Sequence, residues 1–473
     1  MGQCWDRLLE LDKRYYLFNY YAAEEYAPTL ITETDGAYIV DDKGNRLLDL
    51  TAQLMCVNLG NRHQKIQAAI RESLNKFGYV WEKYPTEERI KATCLLMENI
   101  LGSDGWAGKL RFVSTGSEAV EMGLMLAKLF MNRPNIFTRL WAYHGWTEAA
   151  RSCTMIRGIR GLLSSRKGYI KDIPANHTGG YFVAPPPYCY RCPLGRDYPD
   201  CKVSGKLGCV TFTEHLIEAV GAETVAGVIT EVVMGVGAVV PPPEYTPQMR
   251  RLTHNLGLLW IDDEVVCGFG RTGKWFAYQH YLPEVKPDIM ILGKGLTSAQ
   301  LPAAGVVVSK EIAKFFEDYR WWHVSTYGAH PIVMAVVAAN IEAMLEDGVV
   351  DHAAKIGEYL GEGLRSLQDR HRCVGHVAGV GMFWTVEIVK DRDTKKPFIE
   401  EDRGALYTGD TSNYPVSIIA SKCLEKGCLI GGFTPNTLRI TPPLTLNEEE
   451  VDKGLAALDY ALAAVDKMCP LNR

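Results

Sequence analysis

The chain has 473 residues, 47% apolar and 23% charged, a composition typical of a globular protein too large for one simple core. Its formal net charge of −5 offers no basic surface for nucleic acid or anionic lipid, and no apolar run is long enough to span a membrane. Thirteen cysteines, an odd number, follow a start that does not resemble an export signal, so the sequence predicts a cytoplasmic location.

The N-terminal part is predicted to combine a helix with a hairpin. Amphipathic spacing of leucines and tyrosines predicts a helix over residues 5–25. Apolar runs at 37–40 and 46–50 flank the turn sequence Asp42-Lys-Gly-Asn45 and predict a β-hairpin. We expect residues 1–70 to pack with the C-terminal part of the chain.

After two helical segments at 64–77 and 86–101, short apolar strands alternate with helical stretches. The clearest strand-like runs are 110–113, 225–230, 258–262, 289–292 and 304–308. Buried runs separated by helices predict an α/β fold, in which helices cover both faces of a mostly parallel sheet. We assign this large domain to residues 71–335, and a smaller α+β domain to residues 336–473.

Residues 176–210 form an insert in the large domain that is rich in proline, glycine, tyrosine and cysteine. Its cysteines, Cys189, Cys192, Cys201 and Cys209, have the spacing C-x2-C-x8-C-x7-C, which is compatible with a tetrahedral zinc site. Free or partly buried thiols are the alternative. Elsewhere the sequence indicates no metal site.

Two motifs in the first half of the large domain are suited to binding a flat, anionic ligand. Ser114-Thr-Gly-Ser-Glu-Ala119 follows a strand and opens a helix, where backbone N–H groups and hydroxyls bind anions. Ordinary capping by Thr115 or Ser117 explains this motif equally well. Tyr143-His-Gly145 would lay an aromatic ring over the ligand, or else place a core aromatic beside a turn.

Two further motifs lie at predicted strand ends. One strand ends in Asp262, Asp263 and Glu264, and a buried carboxylate at that position needs a cationic partner. Lys294 lies between two glycines after the apolar run 289–292, and a desolvated lysine forms Schiff bases with carbonyl compounds. Taken singly, these charged residues are also typical of a solvated surface.

Together these motifs resemble those of the class-III pyridoxal-phosphate aminotransferases. The resemblance is carried by STGSEA, YHG, DDEVVCGFGRTGKW and KGLTS, in this order, and extends from about residue 30 into the C-terminal part. It implies the aspartate-aminotransferase-like fold of pyridoxal-phosphate-dependent transferases, with a mostly parallel seven-stranded sheet and a smaller α+β domain. It also implies pyridoxal 5′-phosphate as cofactor and no required metal.

The resemblance assigns roles around the cofactor ring. Lys294 would be the Schiff-base lysine and the proton carrier, and Asp263 would pair with the ring nitrogen. Val265 and Tyr143 would cover the two ring faces. His144 would support the site rather than carry protons.

The resemblance also assigns the phosphate contacts to Thr115, Gly116 and Ser117. Thr326 would reach the phosphate from the neighbouring subunit, which makes a homodimer, or a tetramer built from it, part of the prediction. Glu231 lies where the family has a glutamate near the substrate, although Val232 replaces the proline that usually follows.

Substrate contacts are implied by three further regions. Arg439 matches the arginine that holds a substrate carboxylate, a task suited to a planar guanidinium. The run starting Leu54-Met55 resembles a motif of ω-amino-acid:pyruvate aminotransferases, with Met55 replacing a pocket tryptophan, and Val266 replaces a glutamine common in other branches. Trp81 would wall the pocket, or else fill core.

The sequence thus predicts a ping-pong aminotransferase that moves the amino group of an ω-amino acid or amine, of the taurine, β-alanine or 4-aminobutyrate type, to pyruvate. One alternative is a racemase, epimerase or decarboxylating transaminase on the same scaffold. A second is a 4-aminobutyrate- or ornithine-type aminotransferase that uses 2-oxoglutarate. A third is a catalytically silent regulatory subunit that binds the cofactor.

Overall fold

The computed structural model describes residues 2–17, 28–156, 179–237, 239–319, 321–400 and 412–470. The ends of two predicted segments, residues 18–25 of the first helix and 176–178 of the insert, lie outside these ranges. The helices are α1 (Gly2–Tyr15), α2 (Ala52–Met55), α3 (Gln64–Lys76), α4 (Glu87–Cys94), α5 (Gly116–Met131), α6 (Glu148–Cys153), α7 (Gly208–Val220), α8 (Tyr245–Asn255), α9 (Lys310–Asp318), α10 (Pro331–Glu346), α11 (Val349–Arg370), α12 (Pro415–Glu425) and α13 (Glu448–Asp466). The strands are β1 (Ile31–Asp35), β2 (Tyr38–Asp41), β3 (Arg46–Asp49), β4 (Ala107–Val113), β5 (Asn135–Arg139), β6 (Tyr181–Ala184), β7 (Val225–Thr230), β8 (Leu259–Asp263), β9 (Ile289–Leu292), β10 (Ala304–Ser309), β11 (Val374–Val380), β12 (Phe383–Asp391), β13 (Lys396–Pro397), β14 (Cys428–Leu429), β15 (Gly431–Thr434) and β16 (Thr437–Ile440).

A seven-stranded sheet with the order β4-β10-β9-β8-β7-β5-β6 forms the centre of the molecule. Strands β5 to β9 are parallel to one another, whereas β10 runs antiparallel to both β4 and β9. All residues of β7, β8 and β9 are buried, which explains their continuous apolar sequences. The predicted mostly parallel sheet is confirmed.

Helices cover both faces of this sheet. Helices α5 and α9 share an apolar cluster with one set of strand residues, including Ile136. Helices α7 and α8 share another cluster with the alternate residues, including Phe137. Because successive side chains of a strand point to opposite faces, the two clusters lie on opposite sides of the sheet.

The direction of the strands brings the chemically interesting residues to one edge. Strands β7, β8 and β9 are parallel, so Glu231, Asp263 and Lys294 follow or end them on the same side. Strand β4 points the same way as β9, because both are antiparallel to β10. The start of α5 at Gly116 therefore lies at this edge as well, where ligands of open α/β sheets bind.

Two smaller sheets complete the fold. The predicted hairpin is confirmed as β2 and β3, which form a four-stranded sheet with β1 and β14. Strand β3 pairs in parallel with β14, so the two ends of the chain share a sheet. Strands β11, β12, β16 and β15 form the other sheet, with β13 paired to β12. The domain division at residues 70 and 335 stays a prediction.

In the part of the chain that the structure describes, we find no helix with the length and apolar character needed to cross a membrane.

Candidate active site

Lys294 follows β9 directly and has a left-handed backbone, with φ of 42°. A non-glycine residue in this region is strained by about 1–3 kcal/mol, and such strain is concentrated at functional sites. The residue keeps partial exposure, but burial of its amine lowers the pKa of Lys294, and the positive charge of Arg439 lowers it further. Cys56, Asp263 and Glu231 act on the pKa of Lys294 in the opposite direction.

Asp263 is held by two hydrogen bonds at the end of β8. Its Oδ2 lies 2.7 Å from Nδ1 of His144, and its Oδ1 accepts the N–H of Val265 at 3.1 Å. His144 and Asp263 are both 3% exposed. When the carboxyl group is ionised it only accepts hydrogen bonds, and Nδ1 of His144 is then the donor. The pair therefore fixes the orientation of a buried carboxyl group at the sheet edge.

The first turn of α5 forms a cradle for an anion. Thr115 caps the helix by accepting the N–H of Glu118 at 3.2 Å, whereas the N–H groups of Gly116 and Ser117 come before the first intrahelical bond. The Ser117 hydroxyl accepts the N–H of Trp146 at 3.0 Å and keeps its own hydrogen to donate. The cradle thus offers N–H and O–H donors at a helix N-terminus.

Gly145 brings the two predicted motifs of this cradle together. It has a φ of 130°, and a Cβ added to it would lie 2.5 Å from Oγ of Ser117. No other residue fits this position without moving Ser117. The YHG and STGSEA motifs, separate in sequence, therefore pack directly against each other.

Val265 lies between the cradle and Lys294. A Cβ added to Gly116 would lie 3.5 Å from Cγ1 of Val265, and one added to Gly293 would lie 3.2 Å from it. Tyr143 is partly exposed on the neighbouring loop, where its N–H donates to Oε1 of Glu231 at 3.3 Å. The structure therefore brings both predicted ring-covering residues to the same edge.

Glu231 links this edge to Arg439. Its Oε2 accepts the N–H of Gly235 at 2.6 Å, and the carbonyl of Gly235 accepts Nη1 of Arg439 at 3.0 Å. Burial raises the pKa of Glu231; His144 lowers it and Asp263 raises it further. Arg439 is 5% exposed and acts electrostatically on Lys294, so the predicted carboxylate handle lies beside the predicted catalytic amine.

Comparison with known proteins places this arrangement in a family. The family model for class-III aminotransferases matches residues 20–462. The chain belongs to the class-III aminotransferases. It is therefore an aminotransferase whose cofactor is pyridoxal phosphate.

Among similar solved structures is an S-selective transaminase from Arthrobacter sp. with alanine bound, which is 45% identical, covers 98% of each chain and has a TM-score of 0.92. Curated relatives include putrescine–pyruvate aminotransferase from Pseudomonas aeruginosa, 31% identical over 94% of each chain. They also include leucine/methionine racemase from Thermococcus litoralis, 29% identical over 93% of this chain and 92% of that one. The pyruvate-using relative agrees with the predicted ω-aminotransferase branch.

The described residues of the aminotransferase fit pyridoxal phosphate. The cradle at Gly116 and Ser117 has the donors that a phosphate needs, and Gly145 removes the side chain that would close it. Asp263 supplies a buried carboxylate of the kind that pairs with a ring nitrogen. Lys294 supplies a desolvated amine at the same edge.

The remaining predicted site residues differ in their exposure. Thr326 is on an exposed turn, and Trp81 is on a loop that leaves it 41% exposed. Leu54 is 49% exposed, whereas Met55 is 2% exposed and packs in the apolar core. Leu54 therefore presents more surface to a substrate than Met55 does.

Cys56 is an active-site neighbour that sequence reasoning missed. It follows a turn in which Ala52, Gln53 and Met55 all have positive φ, and it lies close enough to Lys294 to influence the pKa of that lysine. Its only signal in the sequence was its place directly after Met55.

The structure contradicts the alternative that the carboxylates beside Asp263 are solvated surface charges. Asp262 and Glu264 are both fully buried, so they are not solvated strand-end charges. Burial raises the pKa of Asp262, and the neighbouring Glu264 raises it further. They alternate with Asp263 along the chain and point to the other face of the sheet. Only Asp263 therefore faces the predicted site.

The cysteine tetrad does not form the zinc site that its spacing allows. Cys189, Cys192, Cys201 and Cys209 line one small cavity, but within the described ranges no three His, Cys, Asp or Glu side chains are arranged to hold a metal ion. Burial raises the pKa of Cys189 to about 11 and that of Cys209 to about 12. Without a metal, burial therefore favours protonated thiols at these positions.

Proposed function

We propose that this aminotransferase moves the amino group of an ω-amino acid or primary amine to pyruvate in a ping-pong cycle. The observation that carries the proposal is the position of Arg439, a buried guanidinium that binds the carbonyl of Gly235 and lowers the pKa of Lys294. A guanidinium there suits the carboxylate of an α-keto acid. Alanine, found in the related Arthrobacter transaminase, is the amino acid that pyruvate becomes when it accepts an amino group.

Each residue of the site would have a defined task. Pyridoxal phosphate, when bound, supplies an electron sink for the pair of electrons left on the substrate Cα. Lys294 would take the proton from Cα and return it, because its lowered pKa favours the neutral amine. Asp263, oriented by His144, would hold a positive ring nitrogen, and Ser117 with Gly116 would hold the phosphate. Arg439 would orient the substrate carboxylate.

The amine donor and the acceptor are tested with a substrate panel. Purified holoenzyme is incubated with taurine, β-alanine, 4-aminobutyrate, putrescine or 1-phenylethylamine, each with pyruvate or 2-oxoglutarate, and the amino acid formed is quantified. We expect alanine from pyruvate at a rate at least tenfold above glutamate from 2-oxoglutarate. Inversion of a chiral amino acid without any keto acid would instead support the racemase alternative, which the Thermococcus relative exemplifies.

Replacing Arg439 with methionine is expected to separate acceptor binding from amine binding. The variant loses the cation for the keto-acid carboxylate, so kcat/KM for pyruvate should fall about 10²-fold. The half-reaction with 1-phenylethylamine, which has no carboxylate, should stay within about threefold of the native rate. Stopped-flow measurement of both half-reactions tests this, with Arg439→Lys as a charge-retaining control. Equal losses with both substrates would contradict the assignment.

The proposed homodimer is supported by an exposed apolar patch. Two loops carry it. Arg111 of β4 bridges them by binding Glu82 at 2.6 Å and the carbonyl of His323 at 2.8 Å, and Tyr79 contacts His330 at a ring distance of 5.9 Å. The exposed side chains of the patch are Tyr79, Trp81, Tyr84, Trp322, Val324 and Tyr327. Contiguous apolar surface of this kind is typical of a protein interface. The patch surrounds Thr326, which would act across the interface in a second copy.

Replacing Trp322, which is 88% exposed, with glutamate should disrupt this dimer. A charge placed in an apolar interface is costly, so light scattering should show the mass falling from twice the chain mass to 52.7 kDa. Activity should fall together with the mass, because the partner's Thr326 would leave the phosphate site. The control is Phe212→Glu, at an exposed aromatic residue on α7, which should change neither the mass in solution nor the activity. A monomeric variant with full activity would contradict the shared site.

We also propose a cytoplasmic location. The twelve cysteines from Cys56 to Cys469 are free thiols, as expected in a reducing compartment.

A further inference from the structure

The cysteine-rich insert contacts a buried carboxylate of the C-terminal part. Glu387, on β12, is 5% exposed. Its Oε2 accepts the hydroxyls of Tyr188 at 2.7 Å and Thr437 at 3.1 Å, and its Oε1 accepts Nε of Arg191 at 2.9 Å. Two of these three donors come from the insert, nearly two hundred residues before Glu387 in the chain.

This carboxylate lies on the same sheet face as Arg439. In the pairing of β12 with β16, Thr385 is opposite Arg439 and Glu387 is opposite Thr437. Residues two apart on a strand share a face, so Glu387 and Arg439 are diagonal neighbours. Diagonal Cα atoms in such a pair are about 7–8 Å apart, within reach of long side chains. Glu387 and Arg439 can therefore form an ion pair.

Arg191 is fixed in the position that compensates Glu387. Its Nη1 donates to the carbonyl of Lys395, and its guanidinium lies 5.2 Å from the ring centre of Tyr190. The Tyr190 ring is stacked on His376 at 4.8 Å. These contacts hold Arg191 against the C-terminal sheet even when Glu387 is altered.

Without the Arg191 guanidinium, the buried charge of Glu387 is less compensated, and a buried charge that lacks compensation is costly. If Arg191 were neutral, the guanidinium diagonal to Glu387 would be that of Arg439. Arg439 would then spend part of its time paired with Glu387 instead of with a substrate carboxylate. The native Arg191–Glu387 bond prevents this competition.

We propose that Arg191 is a positioning residue for substrate carboxylates, because it holds Glu387 away from Arg439. This inference rests on the proposed role of Arg439 as the carboxylate handle. It assigns the insert to acceptor recognition rather than to metal binding. The amine half-reaction of a donor without a carboxylate is independent of this contact.

The test compares Arg191→Met, Glu387→Gln and the double variant, each as holoenzyme. Two quantities are measured: the KM for pyruvate, and the Kd of propionate, a carboxylate that cannot react, by calorimetry. Arg191→Met should raise both about tenfold and leave the rate with 1-phenylethylamine within twofold. Adding Glu387→Gln should restore both to within about threefold of native, and Arg191→Lys should stay near native.

The difference between pyruvate and 1-phenylethylamine distinguishes positioning from a merely structural role. If Arg191 only stabilised the insert, Arg191→Met should impair the reactions of both substrates equally, and Glu387→Gln should relieve both losses by removing the uncompensated buried charge. Three outcomes would overturn the inference. The double variant could fail to recover, Arg191→Met could lose activity equally with pyruvate and 1-phenylethylamine, or propionate binding could be unchanged in Arg191→Met. If the holoenzyme transaminates no donor, the proposed function fails, while the propionate measurements still decide the role of Arg191.

Discussion

Replacing Lys294 with alanine is expected to lower turnover by about 10⁴-fold or more and to abolish covalent attachment of the cofactor. Lys294 is the amine that burial and Arg439 keep below its ordinary pKa, and it lies beside Val265 and the α5 cradle. No other side chain of the cluster can both attach to a carbonyl and carry a proton. Alanine removes both abilities without adding bulk.

The attachment is measured by borohydride reduction followed by intact-mass spectrometry. Native enzyme should gain the mass of the reduced cofactor, and Lys294→Ala should gain none. The control is Lys286→Ala, at a lysine just before β9, which should behave as native. The variant should still bind pyridoxal phosphate reversibly, because Gly116, Ser117 and Asp263 are unchanged. A labelled Lys294→Ala protein would refute the assignment.

The sequence predicts the central sheet well because its strands are short, buried and apolar throughout. The runs at 225–230 and 289–292 coincide with β7 and β9, and their parallel direction brings Glu231 and Lys294 to one edge. Local patterns also place Gly116 at the start of a helix. Local patterns do not reveal the direction of a strand, because the apolar run at 304–308 contains nothing that marks β10 as antiparallel.

Burial and distant contacts could not be predicted from local patterns. Three consecutive carboxylates look alike in sequence, yet the alternation of β8 sends Asp263 to the site and Asp262 into the core on the other face. The bond from Arg191 to Glu387 joins residues 196 positions apart. The cysteine spacing suggested a metal, but spacing alone does not determine whether four sulfur atoms converge.

The second large effect on activity is expected from replacing Asp263, which points to the site while its neighbour Asp262 points to the other face of β8. Asparagine at position 263 keeps the size of the side chain but removes the charge that would hold the cofactor's ring nitrogen in its positive form. An uncompensated buried charge costs about 3–5 kcal/mol, so kcat for Asp263→Asn should fall about 10³-fold. Covalent attachment at Lys294 should persist, since the amine and the phosphate cradle are untouched.

Asp262→Asn is the matched control, one residue away on the same strand. Burial raises the pKa of Asp262 and so favours its neutral acid, which asparagine imitates in shape and charge. Its kcat should therefore stay within about threefold of native, while Asp263→Asn loses most of its turnover; kcat is measured in the pyruvate assay for both. Similar losses in both variants would mean that the strand, not the charge of Asp263, matters. Because the two side chains are chemically identical and adjacent on β8, the comparison isolates the effect of a buried charge beside the cofactor.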